Sequence, residues 1–370
     1  MRRTVLAWAI VALGTGTAQA STLFGVTNLV TDDQTANPAQ ITDTDLVNAW
    51  GISYAPSSPF WVSDNGTGLS TLYSVAPSTN ATSKVGLTVT IPTSPGGTPT
   101  GQVYNPVSTA FDGDLFLFVS EDGTISGWRA ALGTTAEVLQ TGISENVYKG
   151  ITLATTDQYT YLYAANFRSG TIDVLKGTPG APNLTGRFVD PNLPAGYAPF
   201  NIANLGDSLY VSYAVQDLAK HDEVAGPGNG IVDLFDLQGN LVKRLAAGGA
   251  LNAPWGLAIA PSSFGELKGD LLVGNFGDGR INVFDPSDGT PAGPLKDSLG
   301  NPIDIDGLWA LAPGNGTNGG STSSIYFTAG PGGEAHGLFG AISAVPEPGS
   351  GVLALAGLLS LVLARRRRPA

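Results

Sequence analysis

Along the chain, short runs of aliphatic, β-branched and aromatic residues alternate with clusters of glycine, proline, asparagine and aspartate; Leu115-Phe116-Leu117-Phe118-Val119 after Asp112-Gly113-Asp114 is one instance. Runs this short and this punctuated predict many short strands rather than helices. They also recur. A strand opens near Gly51, Gly101, Gly150, Asn201, Gly256 and Ala310, at intervals of 50, 49, 51, 55 and 54 residues. A second strand follows each opening, at 60–63, 115–120, 161–165, 209–213, 271–274 and 325–328, and a third at 72–75, 124–128, 171–175, 231–235, 280–284 and 338–342. Fourth strands are expected at 85–91, 137–140, Gly186 to Val189 and 241–245, with a further candidate near Leu295.

Six units of about four strands predict an all-β, six-bladed β-propeller, in which each sheet must stack on its neighbours to bury both faces. The sixth unit runs out after three strands at Ala344, whereas Gly25 to Val30 is a strand-like run upstream of the first unit with no blade of its own. That N-terminal strand is therefore expected to complete blade six and close the ring, leaving no free sheet edge at the seam. The pairs Gly113-Asp114, Gly206-Asp207 and Gly269-Asp270 precede second strands and read as turns rather than calcium ligands.

Composition adds limits. Fifty glycines, 25 prolines, 42% hydrophobic and 13% charged residues suit a turn-rich chain that still builds a core. Arg2, Arg3 and Arg365 to Arg368 supply six of the 18 basic residues and Glu347 one of the 30 acidic, so the central chain sets 12 basic against 29 acidic residues. So acidic a surface repels phosphate backbones and argues against nucleic acid as a partner. With no cysteine, disulfides, thiolate nucleophiles and Cys-ligated metals are excluded.

The two ends carry transport signals. Arg2-Arg3, an apolar run from Val5 to Leu13 and Ala18-Gln19-Ala20 make residues 1–20 a secretory signal peptide, its apolar run too short to span a bilayer. At the other end, Val345-Pro346-Glu347-Pro348, an apolar stretch from Gly351 to Ala364 and four arginines at 365–368 follow in order. Together these resemble the PEP-CTERM sorting signal of Gram-negative bacteria. The resemblance implies transient membrane association through the tail, processing by signal peptidase and exosortase, and a secreted, extracellular or cell-surface product. The expected organisation is 1–20 signal peptide, 21–344 propeller and 345–370 sorting tail.

Candidate chemistry lies on one face, where inner strands begin and second strands turn into third strands. Asp64, Glu121, Asn166 and Asn275 end second strands, and the loops of blades four and six bring His221, Asp222, Glu223, Glu334 and His336 to the same face. A ring of such oxygens suits Ca²⁺; the alternative is that these residues cap strand ends. Trp50, Trp255 and Trp309, each beside Asn48, Asn252 or Asp306, read either as an exposed platform for sugar faces or as wedges between blades. Glu334 and His336 form a conceivable acid/base pair, but no Gly-x-Ser-x-Gly element accompanies them.

The runs Thr27-Asn28-Leu29-Val30, 46–52, 60–68 and 327–340 are similar to a conserved-hypothetical family of secreted bacterial propellers, over about residues 24–343. That resemblance implies fold and export, not an activity. The repeat more distantly resembles NHL-type and gluconolactonase-like propellers, although their Glu-Gly-Pro and Pro-Asn-Gly signatures are absent. The leading expectation is a non-enzymatic binding or matrix-associated protein linked to exopolysaccharide, with a polysaccharide or protein ligand at Asp64, Glu121, Asn166, Asn275, Glu334 and His336. The competing expectation is a divalent-cation-dependent hydrolase of lactone or glycan substrates. Mass spectrometry of the extracellular protein from a host with an exosortase should find a chain that begins at Ser21 and ends near Pro348; an intact Arg365–Arg368 cluster outside the cell contradicts the sorting assignment.

Overall fold

A computed structural model describes residues 22–93 and 98–345; the expected signal peptide and the segment after Val345 fall outside them. The chain folds as a six-bladed β-propeller. First in sequence are β1 (Phe24–Thr31) and β2 (Ile41–Thr42), which belong to the last blade. Blade one is β3 (Ala49–Ser53), β4 (Phe60–Asp64), β5 (Leu69–Val75) and β6 (Thr82–Thr90). Blade two is β7 (Pro99–Tyr104), β8 (Phe116–Ser120), β9 (Ile125–Trp128) and β10 (Glu137–Gln140). Blade three has β11 (Tyr148–Thr156), β12 (Tyr159–Asn166) and β13 (Thr171–Lys176). Blade four has β14 (Tyr197–Asn204), β15 (Leu209–Val215), β16 (Ile231–Phe235) and β17 (Leu241–Ala247). Blade five has β18 (Pro254–Ile259), β19 (Leu271–Asn275), β20 (Ile281–Phe284) and β21 (Pro291–Pro294), and blade six β22 (Leu308–Pro313), β23 (Ser324–Ala329) and β24 (Leu338–Ala344).

One expected strand is absent. Gly186 to Val189 does not extend blade three: the N–H groups of Gly186 and Phe188 donate instead to the carbonyls of Gln238 and Gly239, in the turn of blade four. Phe188 takes a left-handed φ of 54° to bury its ring against Tyr163 and Phe235. Filling the gap between two blades with an aromatic ring outweighs a short outer ladder.

The six inner strands meet at the axis, and each carries a register shift near its start: between Ala49 and Ile52, Pro99 and Gln102, Tyr148 and Gly150, Pro199 and Asn201, Pro254 and Gly256, and Leu308 and Leu311. A bulge bends a strand and re-aims its side chains. Here the skipped residues include Trp50, Thr100, Lys149, Phe200, Trp255 and Trp309, one per blade. Backbones then touch: a Cβ on Gly51 would lie 2.4 Å from the Thr100 carbonyl, and one on Gly150 2.6 Å from Asn201 Cα. Side chains bridge the same seams. Gln102 Nε2 donates to Gly51 O (2.9 Å), Thr100 Oγ1 to Tyr148 O (2.8 Å), Asn201 Nδ2 to Trp255 O (2.7 Å) and Thr328 Oγ1 to Trp50 O.

The ring closes as the sequence reading expects. β1 pairs antiparallel with β24, from Phe24 opposite Ala344 to Thr31 opposite Leu338. Phe24, Leu29 and Val30 are buried by this pairing, Phe24 against Phe264 of the neighbouring blade. Deleting 24–31 uncovers the β24 edge and removes three core side chains worth roughly 1.5–3 kcal/mol each. The truncated chain is expected to aggregate or to melt well below the intact protein in calorimetry; an unchanged melting temperature refutes closure as a stabilising element.

Candidate functional site

At the axis, the residue preceding each inner-strand pivot points inward, and three of the six are tryptophans. Trp50 and Trp309 stack at 3.6 Å, and Trp255 meets both edge-on at 6.4 and 6.1 Å. Phe200 and Phe276 pack on Trp309. All three indoles are buried. They neither stand exposed as a sugar platform nor wedge between blades: they plug the central channel.

Blade three places a lysine in this aromatic layer. Lys149 is 1% exposed, and its Nζ lies 5.1 Å from the centre of the Trp50 ring. The ammonium donates to Glu121 Oε1 and, at 3.3 Å, to Asp222 Oδ1. Burial pulls its pKa down, but the negative charges of Glu121, Glu223 and Asp222 outweigh that and hold it above the ordinary lysine value.

From this ammonium a relay of side chains crosses the mouth. Glu121 Oε2 accepts from Thr98 Oγ1 and from Asn65 Nδ2 (3.2 Å). Asn48 Nδ2 donates to Asn65 Oδ1 (3.1 Å) and to Glu334 Oε2 (2.7 Å), and Asn48 Oδ1 accepts from the Trp309 indole (2.8 Å). On the far side, His221 Nδ1 lies 2.8 Å from Asp222 Oδ1. Five blades contribute. The local backbone serves the relay: Asn48 sits at φ 46°, Glu334 at φ 70°, and a Cβ on Gly330 would strike Asn48 Oδ1 at 2.2 Å.

The carboxyls diverge in character. Burial raises Glu121, but Lys149 and the Thr98 hydroxyl more than offset it and hold the group below the usual glutamate value. Burial lifts Glu223 to about 7, reinforced by Glu334 and Asp222. Burial also raises Glu334, against the Asn48 hydrogen bond. Asp222 is lowered to about 2 by its hydrogen bond with His221, which is raised in return.

Of the residues singled out from sequence, Glu121 and Glu334 join this cluster, and His221, Asp222 and Glu223 reach it from the blade-four loop. Asp64, Asn166 and Asn275 do not. Asp64 alternates with Phe60 and Val62 toward the core between blades one and six, and burial pushes its carboxyl well above the carboxylate range. Asn166 binds Asn146, Asp173 and the Val147 N–H, and Asn275 binds Ala250 O and Asp278. Glu121 differs because it lies one residue beyond β8, free of the pleat. His336 turns to Asp32 (2.9 Å) on the rim, while its carbonyl accepts from Asn48 N–H.

The four-residue oxygen ring expected for Ca²⁺ therefore does not converge. One ligand atom each from Glu121, His221 and Asp222 lie within 4.8 Å of one another, but the Lys149 ammonium bonds both carboxylates. Any metal ion there has to displace a buried cation. Lys149, Asn48 and Asn65 went unnoticed as site residues. The signal was present in the repeat: the residue before each pivot reads Trp50, Thr100, Lys149, Phe200, Trp255, Trp309, and a lysine among aromatics marks a charged centre.

Fold and mouth define a propeller with an aromatic-plugged channel and a lysine-centred polar site. The chain belongs to the same family as two uncharacterized proteins of Acanthamoeba polyphaga mimivirus. One is 32% identical over 340 residues, covering 88% of this chain and 82% of the relative; the other is 35% identical over 308 residues, covering 78% and 77%. Residues 344–368 match the PEP-CTERM protein-sorting motif, which marks the chain for exosortase processing, secretion and cell-surface association. Among solved structures, the α-L-arabinofuranosidase Arb93A of Fusarium graminearum shares the fold at 11% identity and a TM-score of 0.52, over 87% of this chain and 98% of that one.

Replacing Lys149 by Met leaves Glu121 buried beside Asp222 and Glu223 without a cation, at an expected cost of about 3–5 kcal/mol at pH 7. In the native protein Glu121 has a lowered folded pKa, so its stabilisation is present above its unfolded pKa and is lost as pH falls through the folded value. In K149M the sign reverses, because the uncompensated carboxyl binds its proton more tightly folded than unfolded. Urea denaturation at pH 5 and pH 8 should show K149M more stable at the lower pH; equal values would refute the role of Lys149 as internal counter-ion.

Proposed function

We propose that the exported propeller is a binding protein for an uncharged, hydroxyl-rich extracellular ligand such as a neutral glycan, held at the channel mouth around Glu334, Asn65, Glu223 and Asp222. The observation that carries this reading is partial charge compensation inside the mouth. Lys149 bonds Glu121 and Asp222 and offsets one of their two charges, His221 bonds Asp222, and burial raises the pKa of Glu223, to about 7, and that of Glu334. A mouth whose charges are offset in this way offers donors and acceptors with less net charge than its carboxyls alone would give, which suits hydroxyl groups. An anionic ligand meets an acid-rich surface, and a small cation meets an ammonium already in place. Beside the polar groups, the blade-four loop exposes Leu218 fully and Val224 in part, giving apolar surface for the C–H face of a sugar ring.

A hydrolytic second reading rests on the divergence of Glu223, near 7, from Glu121, held low: carboxyls driven apart in pKa are the arrangement that acid/base pairs use. Calorimetry of the mature protein against a panel of neutral oligosaccharides tests both. Saturable binding that weakens about tenfold in Glu334→Gln, the loss of one carboxyl hydrogen bond, supports the binding reading. Release of reducing ends that falls away in Glu223→Gln moves the assignment to hydrolysis. Neither binding nor turnover across the panel overturns the proposal.

A further inference from the structure

The tryptophan plug divides the channel, and its other half opens on the opposite face with a different chemistry. There the second halves of all six inner strands enclose a cavity of about 400 Å³. Ile52, Ile151, Ile202, Leu257 and Leu311 supply one aliphatic side chain from each of five blades, and Trp255 and Ala310 line it next to the plug. No aspartate, glutamate, lysine, arginine or histidine lines it. The polar groups in its wall are mostly spent within the wall: Gln102 bonds Gly51 O and Ser53, Asn201 bonds Trp255 O and the Ile202 N–H, and Thr152 Oγ1 accepts from Asn204 N–H. Tyr54 and Tyr104 are exceptions. Both line the cavity and their hydroxyls make no hydrogen bond among the described residues, and Asn204 Oδ1 in the same wall is buried without a partner.

We propose that this cavity is a second binding site, for a small uncharged molecule with an apolar, ring-sized body and one or two hydrogen-bonding groups. The aliphatic wall covers the body, and the tyrosine hydroxyls take the polar group. The volume lies at the lower end of the range in which small-molecule sites are found, so the occupant is a single ring or two rather than a polymer. A charged molecule of the same size is rejected, because it loses hydration and finds no opposite charge. This site stands apart from the lysine-centred mouth in both position and ligand chemistry, and does not rest on the reading given for that mouth.

Benzyl alcohol and benzoate are close in size and differ in charge, and Trp255 lies in the wall as a fluorescent reporter. Calorimetry and tryptophan fluorescence on the mature protein should show saturable binding of one benzyl alcohol per chain, with benzoate at least about tenfold weaker. Ala203, half-buried in the wall, is the position to fill: Ala203→Phe should weaken benzyl alcohol binding by a similar factor of about ten. Absence of saturable benzyl alcohol binding overturns the proposal, as does benzoate binding equally well. Should Ala203→Phe fail to fold, the comparison of the two probes on the native protein decides alone.

Discussion

Everything in this molecule depends on how closely six inner strands approach one axis. At Gly51 and Gly150 the next blade comes so near that no Cβ can be accommodated without a shift. Contact at that distance removes water from the seams and lets Gln102, Thr100, Asn201 and Thr328 reach the neighbouring inner strand's carbonyls. It also narrows the channel until one side chain per blade fills it. The residue before each pivot therefore has an outsized effect, and in blades one, five and six it is tryptophan.

Placing an ammonium in that aromatic layer sets the electrostatics of the whole mouth. The buried Lys149 is tolerable only because carboxylates from blades two and four reach it and an indole face lies beneath it. Glu121 in turn holds Asn65, which connects through Asn48 back to Trp309. The relay links a blade-six indole to a blade-four histidine through residues of blades one, two and three, so it ties loops together as well as shaping the site. Two carboxyls outside direct contact with the ammonium, Glu223 and Glu334, are half-buried without full compensation, which is why their pKa values are raised. Burying charged groups in this way is costly for stability, and the cost is concentrated at one mouth while the other is left without charged residues.

What the sequence by itself determined was whatever repeats or lies contiguous in the chain: the six units, the order of strands within them, the N-terminal closure and the sorting motif. Strand alternation and turn residues are local, so they survive without knowledge of the partner. Tertiary structure decided the rest. The fourth strand of blade three was lost to a packing opportunity for Phe188 between blades, which no window of sequence displays. Asp64, Asn166 and Asn275 occupy the expected ends of their strands, yet the pleat turns Asp64 into the core between blades and local hydrogen bonds hold the two asparagines, whereas Glu121, one residue past its ladder, swings to the axis. The site itself joins residues up to 286 positions apart, and their convergence rests on bulges at the starts of the inner strands. A bulge breaks the two-residue period from which side-chain direction is read, so the sequence could place Lys149 at the start of a strand, and only the folded ring could aim it at the centre.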